Sequence, residues 1–293
     1  MKKKTIYFFI LAVLAVTALY LVKKPTGNVE DTDSKMLSTD TLKIVQVTLI
    51  SGNNPVTLKK GVGNWFVEGE KAYPADMNAV NTLLKHASEV SVLNRISDKP
   101  EKHSKFGVDS SALTIKFRLQ DNSEFSYLIG KDDQERRHTF YRLPGKDEVF
   151  IGTLFPRYRL SADIDSWRDK IIFSSNAGSL TKISLMRGKD TAVIEKKNEL
   201  WDGSLNGKAH QFDEEKIRKL TGKLSMFKAG GFVDDADETL LTDNISLFVS
   251  TGSVTKEIVF AKFGEMDIAF DREKQQCYSI NSDDFSLISG LFD

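Results

Sequence analysis

One cysteine, Cys277, is all the thiol this 293-residue chain has. It therefore has no internal disulfide and no cysteine-built metal site. Cys277 falls in the strand-like stretch "QCYSI" and reads as a buried, inert thiol. Histidine is almost as scarce. His86, His103, His138 and His210 never occur at a metal-ligand spacing such as H-x-x-x-H, so zinc and iron lack a ligand set. The acidic run at 234–238 lacks the residue order of a calcium loop and reads as a solvated loop. No G-x-S-x-G elbow and no P-loop is present. The three GKD triplets, at 130–132, 145–147 and 188–190, read as turns. Spacing assembles no nucleophile, base and stabiliser. The expectation is a protein that is not an enzyme, with no catalytic, cofactor-binding or metal-binding residues.

Proline and net charge are also sparse. Only 6 Pro and 19 Gly argue against long disordered tracts, and a hydrophobic content of 40% describes a chain able to bury real cores. The formal net charge of zero hides an asymmetry. Five of the 41 Lys and Arg residues lie in residues 1–24, where no acidic residue occurs; the rest carries 36 against 41 acidic residues. A mildly acidic body does not seek phosphate backbones, so nucleic acid is not an expected partner.

What the first residues do have is a long apolar run. Ile6 to Val22, including Phe8, Leu14 and Leu21, contains no charge and no Pro and is flanked by lysines. It is just long enough to cross a bilayer core as a helix. A cleaved signal peptide is the rival reading, with a weak small-residue site at Val16-Thr17-Ala18, but the apolar run continues past that site. No Cys ends the run, which excludes a lipoprotein. Residues 1–24 thus read as a membrane anchor, with the N-terminus in the cytoplasm and the body outside it. Residues 25–41 are polar and small and read as a flexible linker.

The body repeats itself. "NWFVEGEKAYPADMNAVNTLL" from Asn64 and "ELWDGSLNGKAHQFDEEKIRKL" from Glu199 each hold a Trp, a polar stretch, an Asp and then a helical apolar pattern. Val47 and Ile183, Leu49 and Leu185, and Trp65 and Trp201 are each 136 residues apart; Asp76 and Asp213 are 137 apart. Alternating apolar residues around these marks predict strands, with Val45, Val47 and Leu49 on one face of the first. The fold class expected is α+β: two tandem lobes, each a β-β-β-α-β-β-β-β unit of mainly antiparallel sheet with a packed helix, over 42–172 and 178–293. Asp76 and Asp213 are expected to cap the two helices. Trp65 and Trp201 are expected to end a strand and seal sheet against helix. Trp167 and Arg168, in "SWRDK", read as a packing residue and a partner for a carboxylate.

These stretches carry a family resemblance. The Trp strand with its helix, "KFGVD" (105–109), "SYLIGKDD" (126–133), "TFYRL" with "EVFIG", and "SWRDK" together resemble a bacterial family described as a domain of unknown function, number 4340. Phe106 and Val108 stand where that family usually has Tyr and Leu. The resemblance covers about residues 40–172 well and the second copy more loosely. It implies an N-terminal membrane segment, a repeated α+β body on the extracytoplasmic side of the bacterial inner membrane, and association with gliding-motility-type ABC transport systems. It implies no catalytic residue. The expected function is a membrane-anchored binding or scaffold protein of the envelope, with transporter subunits as candidate protein partners. An envelope enzyme, or a solute-binding subunit using a cleft between the lobes, is the alternative.

Overall fold

The computed structural model describes residues 40–292 except 90, 154, 199 and 237. The apolar run with Ile6, Phe8, Leu14 and Leu21 lies outside the described residues, as does most of the linker. Among the described residues no helix is long and apolar enough to cross a membrane.

The first strands form a meander because tight turns join short alternating segments. These are β1 (Ile44–Ser51), β2 (Asn54–Lys60), β3 (Trp65–Glu68) and β4 (Ala72–Pro74). Gly52 turns β1 into β2 at a φ of 61°, in the left-handed region where a side chain is strained. Helix α1 (Met77–Ser88) follows, and β5 (Ser91–Ser97) leads from it to a one-turn helix α2 (His103–Phe106). Then come β6 (Leu113–Leu119), β7 (Glu124–Asp132), β8 (Thr139–Arg142) and β9 (Val149–Thr153). All pair antiparallel in one nine-stranded sheet of order β4-β3-β2-β1-β6-β7-β8-β9-β5.

The later part of the chain draws the same diagram. After β10 (Ile171–Ser174) come β11 (Leu180–Arg187), β12 (Asp190–Lys197), β13 (Leu200–Leu205) and β14 (Lys208–Ala209). Helix α3 (Glu214–Ser225) is followed by β15 (Met226–Lys228), which pairs with β10, and by β16 (Gly231–Phe232). The hairpins of β17 (Thr242–Thr251), β18 (Val254–Phe263), β19 (Met266–Asp271) and β20 (Gln276–Ser279) precede helix α4 (Ser282–Ser289). This sheet has the order β14-β13-β12-β11-β17-β18-β19-β20-β16, the first sheet's order strand for strand. The chain divides into two compact units, unit 1 reaching Trp167 and unit 2 beginning at Arg168. Residues 168–172, which the sequence pattern grouped with the first repeat, pack with unit 2 through β10 and Arg168.

The copies agree in detail. A β-bulge breaks the register between Ile44 and Gln46 where β1 meets β6, and between Leu180 and Lys182 where β11 meets β17. The extra residue shifts the strand's inward face by one position. Ile44, not Val45, therefore joins Val47 and Leu49 in the core, as Leu180 joins Ile183 and Leu185. Plain alternation could not show this. Val80, Leu83 and Ala87 of α1 and Ile217, Leu220 and Leu224 of α3 are buried at matching positions 137 apart. The observed unit is longer than the expected β-β-β-α-β-β-β-β. Each copy adds a short strand before its helix (β4, β14) and an edge strand after it (β5, β16). β5 is exposed at most positions and held by backbone pairing to β9, so it shows no apolar alternation to read.

Candidate functional site

Asp76 and Asp213 cap the two helices. Asp76 accepts from the amides of Asn78 (2.9 Å) and Ala79 (3.2 Å), and Asp213 from those of Glu215 (2.7 Å) and Lys216 (3.2 Å). The tryptophans differ from each other. Both lie at the start of a strand, not at its end: Trp65 opens β3 and Trp201 is second in β13. Trp65 is 4% exposed, whereas Trp201 is only half-buried.

The reason lies in four matched positions of the hairpin that precedes each helix. Val67, buried in unit 1, has Gly203 as its counterpart; Ala75 has Phe212; Gly69 has Leu205; and buried Tyr73 has exposed His210. A Cβ built on Gly203 would lie 2.5 Å from the Phe212 ring and 2.4 Å from the His210 carbonyl, so Phe212 occupies the space that the Val67 side chain fills in unit 1. In unit 1 a Cβ on Gly69 would meet the Tyr73 ring at 2.7 Å and Ile164 at 2.9 Å. Ile164 belongs to the arm that follows β9, which runs through two 3-10 turns, Arg157–Arg159 and Ile164–Ser166. Phe155, Leu160 and Trp167 of the arm enter the unit 1 core. The Trp167 carbonyl accepts from the Asp76 amide at 2.8 Å, and its indole donates to the Ser161 carbonyl at 2.8 Å. The arm thus closes the hairpin end of unit 1.

In unit 2 the segment after β20 takes another course. It forms α4, which packs along α3: Lys223 pairs with Asp284 (2.6 Å) and Lys216 donates to the Gly290 carbonyl (3.0 Å). The hairpin end of unit 2 is left as an open groove of about 1110 Å³ between β13, β14 and α3, and no residue of α4 lines it. Trp201 and Leu200 stand at one side, with Leu200 73% exposed. Phe212 and Ile217 form an already filled floor, each 7% exposed. Around it are Lys197, Asp202, Ser204, His210, Gln211, Glu214 and Arg218. Lys197 and Asp202 are 3.3 Å apart as an ion pair, and the His210 ring meets Phe212 edge-on at 4.6 Å.

Other candidate residues fall elsewhere. Arg168, 2% exposed, binds Asp234 with both terminal guanidinium nitrogens (2.6 and 2.7 Å), donates to Gln276 (2.7 Å) and lies 3.7 Å from the centre of the Phe232 ring. Asp234 of the acidic run is therefore an ion-pair partner and not merely solvated. His103 meets the Asp147 carbonyl at 2.9 Å and His138 meets Asp133 at 2.7 Å. His86 and Arg159 line a smaller hollow of about 310 Å³ between α1 and the arm. Burial, and then the charge of Arg159, hold the His86 imidazole below its ordinary pKa. Cys277 is buried, with its sulfur 3.6 Å from the Ala236 carbonyl. GKD at 130–132 is strand, not turn. Gly130 sits in β7 because the Phe106 carbonyl comes within 2.3 Å of where a Cβ would be. Asp132 accepts from Thr139 (2.8 Å) and from the Arg157 amide (2.8 Å), anchoring the arm. Among the described residues no three His, Cys, Asp or Glu converge as a metal site.

A family model described as "Domain of unknown function (DUF4340)" matches residues 65–243. The chain belongs to this family. The match starts at Trp65, after β1 and β2, and runs through α3 into β17, so DUF4340 spans the hairpin end of both units, including the groove. No curated protein and no solved structure matches the chain.

Proposed function

We propose that this DUF4340 protein is a membrane-anchored binding and scaffold protein on the extracytoplasmic side of the bacterial inner membrane, an accessory component of an ABC-type envelope transport system. The observation that carries the binding role is the open groove of unit 2. It is built on an element that unit 1 closes, and it presents a half-buried Trp with polar side chains beside it. The exposed Leu200 and the partly exposed Trp201 put apolar surface beside polar side chains, the mixed lining of a ligand-binding cleft. The anchor is supported by the charge-free run from Ile6 to Val22, and the transport association by the motif resemblance.

The test is photo-crosslinking of the full-length protein in native membranes, with the photoreactive residue at Leu200 beside the groove and, as control, at the exposed Val254 that opens β18. Capture of transporter subunits from position 200 and not from 254 is the expected result. Recovery of the protein in the soluble fraction, or identical capture from both positions, overturns it.

A further inference from the structure

The groove of unit 2 also carries information about the class of molecule that fits it. Its four charged side chains cancel: Lys197 and Arg218 against Asp202 and Glu214. A balanced rim offers no net attraction to a polyanion or a polycation. It does offer donors and acceptors side by side, with Gln211 and Ser204 adding both in one group. At about 1110 Å³ the groove exceeds the usual ~300–1,000 Å³ of small-molecule clefts. An extended ligand suits it better than a compact one.

Peptide recognition usually relies on a pocket that accepts an apolar anchor. Here Phe212 and Ile217 already fill the floor. What is left is the half-buried indole of Trp201 beside the exposed Leu200, a flat rim and not a pocket, with hydrogen-bonding groups around it. A pyranose ring has the complementary form, with a face of C–H groups that lies on an aromatic ring and a belt of hydroxyls that both donate and accept. The indole supplies such a ring.

From this we infer that the unit 2 groove binds a neutral oligosaccharide, with Trp201 as the stacking platform and Arg218, Asp202 and Gln211 as the hydroxyl partners. This rests on reading the groove as a binding site and names its ligand class. In unit 1 the matched Trp65 is buried, so one site per chain is expected.

The test uses the full-length chain in detergent, titrated with maltohexaose, cellohexaose and chitohexaose, followed by tryptophan fluorescence and calorimetry. At least one series is expected to bind and to change the Trp201 emission, with Trp65 and Trp167 silent. Trp201→Ala is expected to weaken binding by roughly tenfold or more, and Arg218→Ala by several-fold. Because Trp201 is half-buried, circular dichroism and the thermal midpoint of each variant are recorded first; Arg218→Ala tests the same site without touching the core. The proposal is overturned if no neutral hexasaccharide binds, if affinity is unchanged in both folded variants, or if acidic oligosaccharides or a peptide library bind the groove more tightly. Crosslinking to a transporter subunit can succeed while every sugar fails, so this failure is separate from failure of the scaffold reading.

Discussion

Unit 1 and unit 2 share one sheet order, one bulge and one helix cap, yet they bury the same tryptophan to different extents, Trp65 fully and Trp201 in part. In unit 1 the chain after β9 crosses to the hairpin end, and Ile164, Tyr73 and Trp167 close it. In unit 2 the chain after β20 coils into α4 beside α3, and the hairpin end stays open. A duplicated fold thus tests itself: where both copies keep a feature, it serves the fold, and where one abandons burial, another demand is visible. Buried charge separates the copies too. Among the described residues the buried Arg and Asp side chains are Arg168, Asp267, Asp271 and Asp284, and all four lie in unit 2. Asp271 is tied to Lys256 at 2.7 Å and to the amides of Glu273 and Lys274. Such groups persist only when paired, so among the described residues the buried carboxylate pairs belong to unit 2, while the pairs of unit 1 lie nearer its surface.

The sharpest way to break the comparison is to truncate both tryptophans. Trp65→Ala removes a fully packed ring from the unit 1 core and should cost about 3–5 kcal/mol. Trp201→Ala removes a half-buried ring and should cost roughly 1–2 kcal/mol. Urea titrations of the two variants measure the difference. Equal losses would mean that the open groove is not open in solution.

A smaller effect is expected from rebuilding the unit 1 pattern in unit 2. Gly203→Ala places a methyl group against the Phe212 ring and should cost about 1–3 kcal/mol by overpacking. Phe212→Ala alone empties a buried site and should cost about 3–5 kcal/mol, and the double variant should lose somewhat less than the two single losses summed. The ring is then gone, but the His210 carbonyl, 2.4 Å from the new Cβ, is backbone and cannot swing aside. The two changes should therefore be non-additive in a double-mutant cycle. Strict additivity would show that Gly203 and Phe212 do not share the space that Val67 and Ala75 divide in unit 1.

The repeat was legible because its marks are local: a Trp ahead of a polar stretch, an Asp before a helix, apolar residues at helical spacing. Constant offsets then did the work of an alignment. The bulges escaped because Val45 continues the alternation on paper, and only the pairing of β1 with β6 moves Ile44 inward. β5 and β16 escaped because edge strands held by backbone bonds need no apolar code. The groove was half legible. Trp201 was singled out, but the open state depends on residues far along the chain: the arm at 155–167 in unit 1 and α4 in unit 2. Sequence could have hinted at it through the exchange of Val67 and Ala75 for Gly203 and Phe212, a large side chain moving from one strand to the loop opposite. The partner of Arg168 was hidden for the same reason, since Asp234 lies 66 residues away.

The smallest effect separates the copies by pH. His86 of α1 and Lys223 of α3 are matched positions, one facing the hollow beneath the arm and the other paired with Asp284. Burial first, then Arg159, depress the His86 pKa below 6.5; Lys85 acts in the same direction and Glu89 against it. A depressed histidine pKa means that the unfolded chain binds the proton more readily in the window below about 6.5. Stability is then intact at higher pH and falls as the pH drops through that window, levelling off below the folded pKa. The loss should stay under about 1 kcal/mol, because His86 is only half-buried and water screens Arg159. Hydrogen exchange of the α1 amides should therefore quicken between pH 7.5 and 5.5, after correction for intrinsic exchange, while the α3 amides do not follow through this position. His86→Gln should abolish the α1 response, and an unchanged response in that variant would assign it to another group.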